Sequence, residues 1–155
     1  MTTMQNNKEA ALQLEKLIHN TIPLGKAMGL HVIELTDNFI NLQAPVANNN
    51  INIHGTAFAG SIYSMCVLTA WGFVHMRLLK ESIEADVVVA QAEIRYLKPI
   101  NEKIFCRSEV KEEDYTEFNQ RLLATGKASI TAIVYAVEDE NEKAVLEARV
   151  VVRTT

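Results

Sequence analysis

The chain has 155 residues, 48% of them hydrophobic and 22% charged, with a formal net charge of −4. That length is about one domain, with enough apolar residues for a core. Acids and bases are mixed along it, so the basic stripe that nucleic-acid binding requires is absent and nucleic acid is excluded as the main partner.

The amino terminus, Met-Thr-Thr-Met-Gln-Asn-Asn, has no basic start followed by an apolar core. A cytoplasmic protein is the simplest expectation. Asn7 is placed to cap a helix from Lys8 to about Asn20, with Leu14, Leu17 and Ile18 on one face and Pro23 as its stop. Residues 1–21 are then a surface-covering helix. A helical turn over Leu24 to Met28 precedes Gly29, and His31 to Leu35 and Phe39 to Ala44 read as a hairpin around Thr-Asp-Asn.

From Asn38 to Met76 there is no Asp, Glu, Lys or Arg. Inside that stretch, Asn50 to Ser64 sets a Gly-bearing polar loop directly before a helix over Ala57 to Leu79 that is too apolar to face water on any side. Ala57 to Val74 is long enough to span a bilayer. Gly60, Ser61, Ser64, Thr69 and Gly72 within it, and the amphipathic strands after it that need a core to cover, argue for a core helix and against a membrane span.

Val88, Ala90, Ala92, Ile94 and Tyr96 alternate with Val87, Val89, Gln91, Glu93 and Arg95, which predicts a strand with one dry face, ended by Lys98-Pro99. Ile104, Cys106, Ser108 and Val110 repeat the pattern in a strand that returns antiparallel. Asp114 with Glu117 resembles a capping box, and Tyr115, Phe118 and Leu122 form a helical stripe closed by Gly126. Two last strands, about Ala128 to Val137 and Val145 to Arg153, flank a charged loop from Glu138 to Glu142. About six amphipathic strands and one helix apolar all round fit together if an antiparallel sheet curls around the helix. The expected fold is a single α+β hotdog domain over residues 1–155.

Cys66 and Cys106 are the only cysteines and give neither a disulfide framework nor a metal spacing, and His19, His31 and His75 show none with one another. The chemistry therefore falls to the loop and the helix start. A helix N-terminus offers unpaired N–H groups and the positive end of a dipole, so an amide near Gly60 is suited to polarise a carbonyl and hold an oxyanion. Gly60 also admits close approach of a ligand. Asn52 and His54 lie just before the helix, where they can align a water, and the near-neutral pKa of a free imidazole suits His54 to general-base work. Tyr63 and Ser64 stand in the next turn.

Ile22-Pro23-Leu24 with Gly29, Ala44-Pro45-Val46, Asn50-Ile51-Asn52, Gly55-Thr56-Ala57-Phe58, Gly60-Ser61, Trp71-Gly72 and Arg95-Tyr96-Leu97-Lys98-Pro99 together carry a resemblance. The segment from Ile22 to Pro99 resembles the putative thioesterase domain family found at the C-terminus of YiiD proteins, a branch of the hotdog thioesterases. The resemblance implies hydrolysis of acyl-CoA or acyl-carrier thioesters by a homodimer or dimer of dimers. The substrate would enter between subunits beside the long helix, coenzyme A being part of the substrate and no metal or other cofactor needed. Asn52, His54, Gly60 and Ser64 are then the catalytic candidates, and Thr56, Phe58, Ser61, Tyr63, Arg95 and Lys98 the substrate contacts, the two cations facing the phosphates of coenzyme A.

One departure stands out. Laid on phenylacetic-acid-type hotdog thioesterases, Phe58 falls where many carry a His and Val67 where they carry the catalytic Asp. No carboxylate occurs on the helix before Glu81, so the usual base or nucleophile is missing from that position. The alternative to a hydrolase is thus a hotdog protein that binds acyl-CoA or an acyl carrier without turnover. A hotdog dehydratase needs the same absent carboxylate. Leu123-Ala124-Thr125-Gly126-Lys127-Ala128 matches an acetyltransferase pyrophosphate loop only in its Gly and Ala.

Overall fold

The computed structural model describes residues 3–155. In chain order the elements are α1 (Thr3–Thr21), α2 (Pro23–Ala27), β1 (His31–Leu35), β2 (Phe39–Pro45), α3 (Ala59–Lys80), β3 (Ala85–Tyr96), β4 (Lys103–Glu109), α4 (Glu112–Thr125), β5 (Lys127–Glu138) and β6 (Asn141–Thr154). The strands form one sheet in the order β1-β2-β4-β5-β6-β3, every neighbouring pair antiparallel. The sheet wraps α3, which packs against β2 through β6. This is the hotdog arrangement anticipated.

The composition of the inner sheet face explains how so long a helix fits. Ala132 pairs with Ala148 and Ala136 with Ala144 across β5 and β6, and all four are buried. Four small side chains in register leave room for α3, which packs against β5 and β6 and buries Met65, Cys66, Thr69 and Phe73. α1 closes the open end with Ala11, Leu14 and Ile18, and Leu14 lies against Gly72, where an added Cβ would stand 3.0 Å from Leu14 Cδ2. α3 is long and apolar enough to cross a membrane by length and composition, yet most of its surface is covered by the sheet and α1.

Four expectations about local structure are corrected. α1 begins at Thr3, so Asn7 lies inside it and caps nothing, because no Gly or Pro stops the preceding turn. α4 begins at Glu112 behind Lys111, which makes no side-chain cap, so Asp114 and Glu117 form no capping box. Its acids Glu112, Glu113 and Asp114 instead occupy the first turn, where they oppose the positive end of the helix dipole. α4 packs on β5 beyond the point where β4 pairing stops at Ser108 and Val134.

In β3 the alternation changes phase. Val87 and Val89 face inward, and after a bulge at Ala90 the inward residues are Ala92 and Ile94, while Val88 and Ala90 are exposed. A bulge inserts one unpaired residue and so resets a period of two. Finally, the charged loop is tighter than five residues: Glu138 pairs with Asn141 around Asp139 and Glu140, both at positive φ (52 and 63). Two successive residues in the left-handed region make a primed hairpin turn, here without the usual glycine.

Candidate functional site

The loop before α3 is built by one side chain. Asn52 Oδ1 accepts hydrogen bonds from the backbone N–H groups of His54 (2.9 Å) and Thr56 (3.2 Å). Its Nδ2 donates to Thr56 Oγ1 (2.8 Å) and the Ala57 carbonyl (3.2 Å). An Asn that bonds the backbone two residues on forms an Asx turn, and Gly55 completes it at φ 78. Every polar group of the Asn52 side chain is therefore engaged within the loop. Ile53 and His54 project from its tip, Ile53 with 95% of its surface exposed.

Three hydrogen bonds then set where the helix starts. Ala57 N–H donates to the Ile100 carbonyl (2.8 Å), and Phe58 N–H donates to the Asn50 carbonyl (2.8 Å). Asn50 is itself buried and anchored by Nδ2 to the carbonyls of Met28 and Pro45. The third comes from the end of β3: the Tyr96 hydroxyl donates to the Ala59 carbonyl (2.9 Å).

Of the first four amides of α3, those of Ser61 and Ile62 donate to the Phe58 carbonyl. Those of Ala59 and Gly60 donate to no described residue. Phe58 is the N-cap and offers no side-chain acceptor, so the positive end of the dipole is left uncompensated. Among the described residues, Gly60, Tyr63, Ser64, Val67, Trp71 and His75 are the less buried positions along this otherwise covered part of the helix. They recur every three or four residues and so form one open stripe. It runs beside β3, to which Trp71 Nε1 is tied by a hydrogen bond to the Val87 carbonyl (2.9 Å).

The candidates distribute as follows. Thr56 is held inside the loop by Asn52, and Ser61 is buried. The hydroxyls of Ser64 and Tyr63 and the imidazole of His54 have no hydrogen-bond partner among the described residues, which leaves them available to a ligand or water. The Phe58 ring lies against Gly60. Arg95 and Lys98 are exposed, but Arg95 follows the strand alternation to the face opposite Tyr96, hence away from the helix start. Val67 stands in the stripe where a carboxylate was missed in the sequence. Among the described residues no group of His, Cys, Asp and Glu is arranged to hold a metal ion.

Three participants were not legible as such. Tyr96 belonged to a recognised motif with no role attached. Trp71 and His75 stack with ring centroids 4.8 Å apart, and burial lowers the His75 pKa, which favours the uncharged imidazole. Their spacing of four on a helix was the available signal. A cavity of about 440 Å³ lies elsewhere, between α1, the β1–β2 turn and the C-terminal half of α3. Of its cations, Arg77 donates to the Asp37 backbone carbonyl and Lys80 pairs with the Asp37 carboxylate.

Comparisons with known proteins agree with this architecture. A family model described as putative thioesterase, YiiD C-terminal, matches residues 11–154. The putative thioesterase from Shewanella oneidensis is 30% identical, with 93% of this chain and 97% of that chain covered at a TM-score of 0.82. A protein of unknown function from Chlorobaculum tepidum TLS is 24% identical, with 96% and 97% covered at a TM-score of 0.86. The PaaI protein of the E. coli phenylacetic acid degradation operon is 12% identical over 95% and 94% of the two chains, with a TM-score of 0.66, and shares the fold.

Proposed function

This chain belongs to the YiiD C-terminal putative thioesterase family, and from that premise we propose that it hydrolyses acyl thioesters of coenzyme A or an acyl carrier. The observation that carries the proposal is the pair of unpartnered amides at Ala59 and Gly60, at the start of a helix whose dipole nothing caps. In the reaction a water adds to the thioester carbonyl. The carbonyl oxygen takes up the electron pair and is held by the Gly60 N–H, assisted by that of Ala59. Collapse of the tetrahedral species expels the thiolate, which leaves as the free thiol once protonated. Preorganised donors of this kind act where charge develops and need no rearrangement at the moment of reaction.

Ser64, one helical turn beyond Gly60, has a free hydroxyl to orient the water, and His54 is the nearest group in the sequence able to take its proton. Asn52 acts by shaping the loop. Val67 supplies neither base nor nucleophile, so hydrolysis is slower than with a carboxylate there.

The site is completed by a second copy of the chain. β3 is an edge strand of 12 residues that, among the described residues, pairs with no strand on its outer side, and Val88 on it is 53% exposed. Such an edge pairs readily with another strand. Pairing β3 with its symmetry mate covers the stripe from Tyr63 to His75 and encloses the acyl chain between two copies.

The test is release of free thiol from short, medium and long acyl-CoAs by the wild type and by Ser64→Ala. Release that is impaired in the folded variant supports the hydrolase. The absent carboxylate favours one second reading, an acyl-thioester binding protein. Calorimetric binding of acyl-CoA with no thiol released would establish that reading in place of the first.

A further inference from the structure

The Ala59 carbonyl that accepts the Tyr96 hydrogen bond (2.9 Å) and the Gly60 N–H are two ends of one peptide unit. That unit is planar and rigid, so fixing its oxygen fixes the direction of its N–H. We propose that Tyr96 is a positioning residue for the oxyanion donor: from edge strand β3 its hydroxyl orients and polarises the Ala59–Gly60 peptide, so that the Gly60 N–H points at the thioester oxygen and donates more strongly.

Ala59 O stands one turn before Tyr63 N–H, its partner in the helical ladder, and a carbonyl has two lone pairs, so the phenol adds a second donor without displacing the first. Withdrawing electron density at the oxygen makes the N–H at the other end of the amide more positive, which is how chains of hydrogen bonds strengthen one another. The phenol stays a donor across the neutral range, because burial, and then the neighbouring Cys66 and Tyr63, push its pKa up. The same segment holds the helix start at a second point, through the Ile100 carbonyl and Ala57 N–H. The end of β3 and the loop after it thus each hold the start of α3 by one hydrogen bond.

This inference rests on the hydrolase reading for its kinetic consequence but has a readout of its own. In Tyr96→Phe the ring is kept and only the hydroxyl is lost. Losing an oxyanion donor outright costs about 10²–10³ in kcat, so losing its alignment and polarisation is expected to lower kcat about five- to thirtyfold. KM should stay within about twofold, since the effect lies in the transition state. In the amide proton–nitrogen spectrum the Gly60 proton should move upfield, while Tyr135→Phe, on the outer sheet face, leaves both readouts unchanged.

A folded Tyr96→Phe with wild-type kcat, or with an unmoved Gly60 resonance, overturns the proposal. If the wild type cleaves no thioester, it is the hydrolase reading that falls. The Gly60 resonance then still decides whether Tyr96 controls this peptide.

Discussion

The Phe58 ring lies over Gly60 so closely that a Cβ on residue 60 would collide with Cε2 and stand 3.0 Å from Cζ. The obstacle is a side chain, half exposed and free to swing, and not backbone. Gly60→Ala is therefore expected to fold with a melting temperature near that of the wild type. The displaced ring and the new methyl would crowd the amide, and kcat should fall by about 10²-fold, the range seen when an oxyanion donor is lost. Circular dichroism melting and thiol-release kinetics on the same preparation check both halves.

Glu138 is buried at the end of β5, and its carboxylate accepts hydrogen bonds from the backbone N–H groups of Asn101 (3.0 Å) and Glu102 (2.8 Å). Burial raises its pKa, but these amides, a weaker one from Lys103 and the Lys143 charge outweigh burial and leave the pKa below the ordinary 4.5. A depressed carboxyl pKa stabilises the fold above the unfolded value and loses that contribution as pH falls through the folded value. Glu138→Gln should cost about 1–3 kcal/mol at pH 7, through weakened acceptors for buried donors. The gap in stability from wild type should shrink below pH 4.5.

The far end of α3 is closed by a different network. The Tyr115 hydroxyl donates to Glu81 Oε2 (2.7 Å), and the Arg77 guanidinium lies 3.8 Å from the Tyr115 ring centroid. Burial first, then the Glu81 bond and charge, push the Tyr115 pKa well above 10. A raised pKa contributes stability that is complete below the unfolded value of 10 and is lost as pH rises through the folded value. Tyr115→Phe is expected to lower stability by about 1–1.5 kcal/mol at pH 7. Alkaline unfolding above pH 10 should be less steep in the variant, as read by urea titration at several pH values.

Cys66 and Cys106 are fully buried with their sulfur atoms 3.7 Å apart. The Cys106 hydrogen bond, burial and the Cys106 charge all raise the Cys66 pKa well above 9.0. Because both thiols are buried away from solvent, neither should react with a disulfide reagent in the native protein, and both should react in denaturant. The native thiols would then add nothing to a thiol-release assay.

Association is open to a direct test. The chain mass is 17.3 kDa, and light scattering is expected to give at least twice that. A lysine on a free edge blunts strand pairing, so Val88→Lys should return the mass toward one chain and lower thioester cleavage with it.

How much of this was legible depended on the range of the interaction concerned. The six strands, the wrapped helix and the stripe of Tyr115, Phe118 and Leu122 followed from periodicity, because burial of one face imposes its repeat on the sequence. The phase of β3 did not, since the bulge at Ala90 changes which residues face inward without changing the residue types. The Asp139–Glu140 turn was read too long because it reaches positive φ without glycine. At the site, the loop and helix start were recognisable by composition, whereas the full engagement of Asn52 within its own turn appeared only from its four hydrogen bonds.

By itself the sequence determined the fold class and the family, since both are written in local pattern and spacing. It also determined that no carboxylate is available on α3. Only the tertiary structure decided which amides remain unpartnered and which face of α3 is open. It alone brought Tyr96 to Ala59, 37 residues away in the chain. Hydrogen-bond partners and exposure are properties of groups brought together by the folded chain, and a one-dimensional pattern does not encode which distant group arrives.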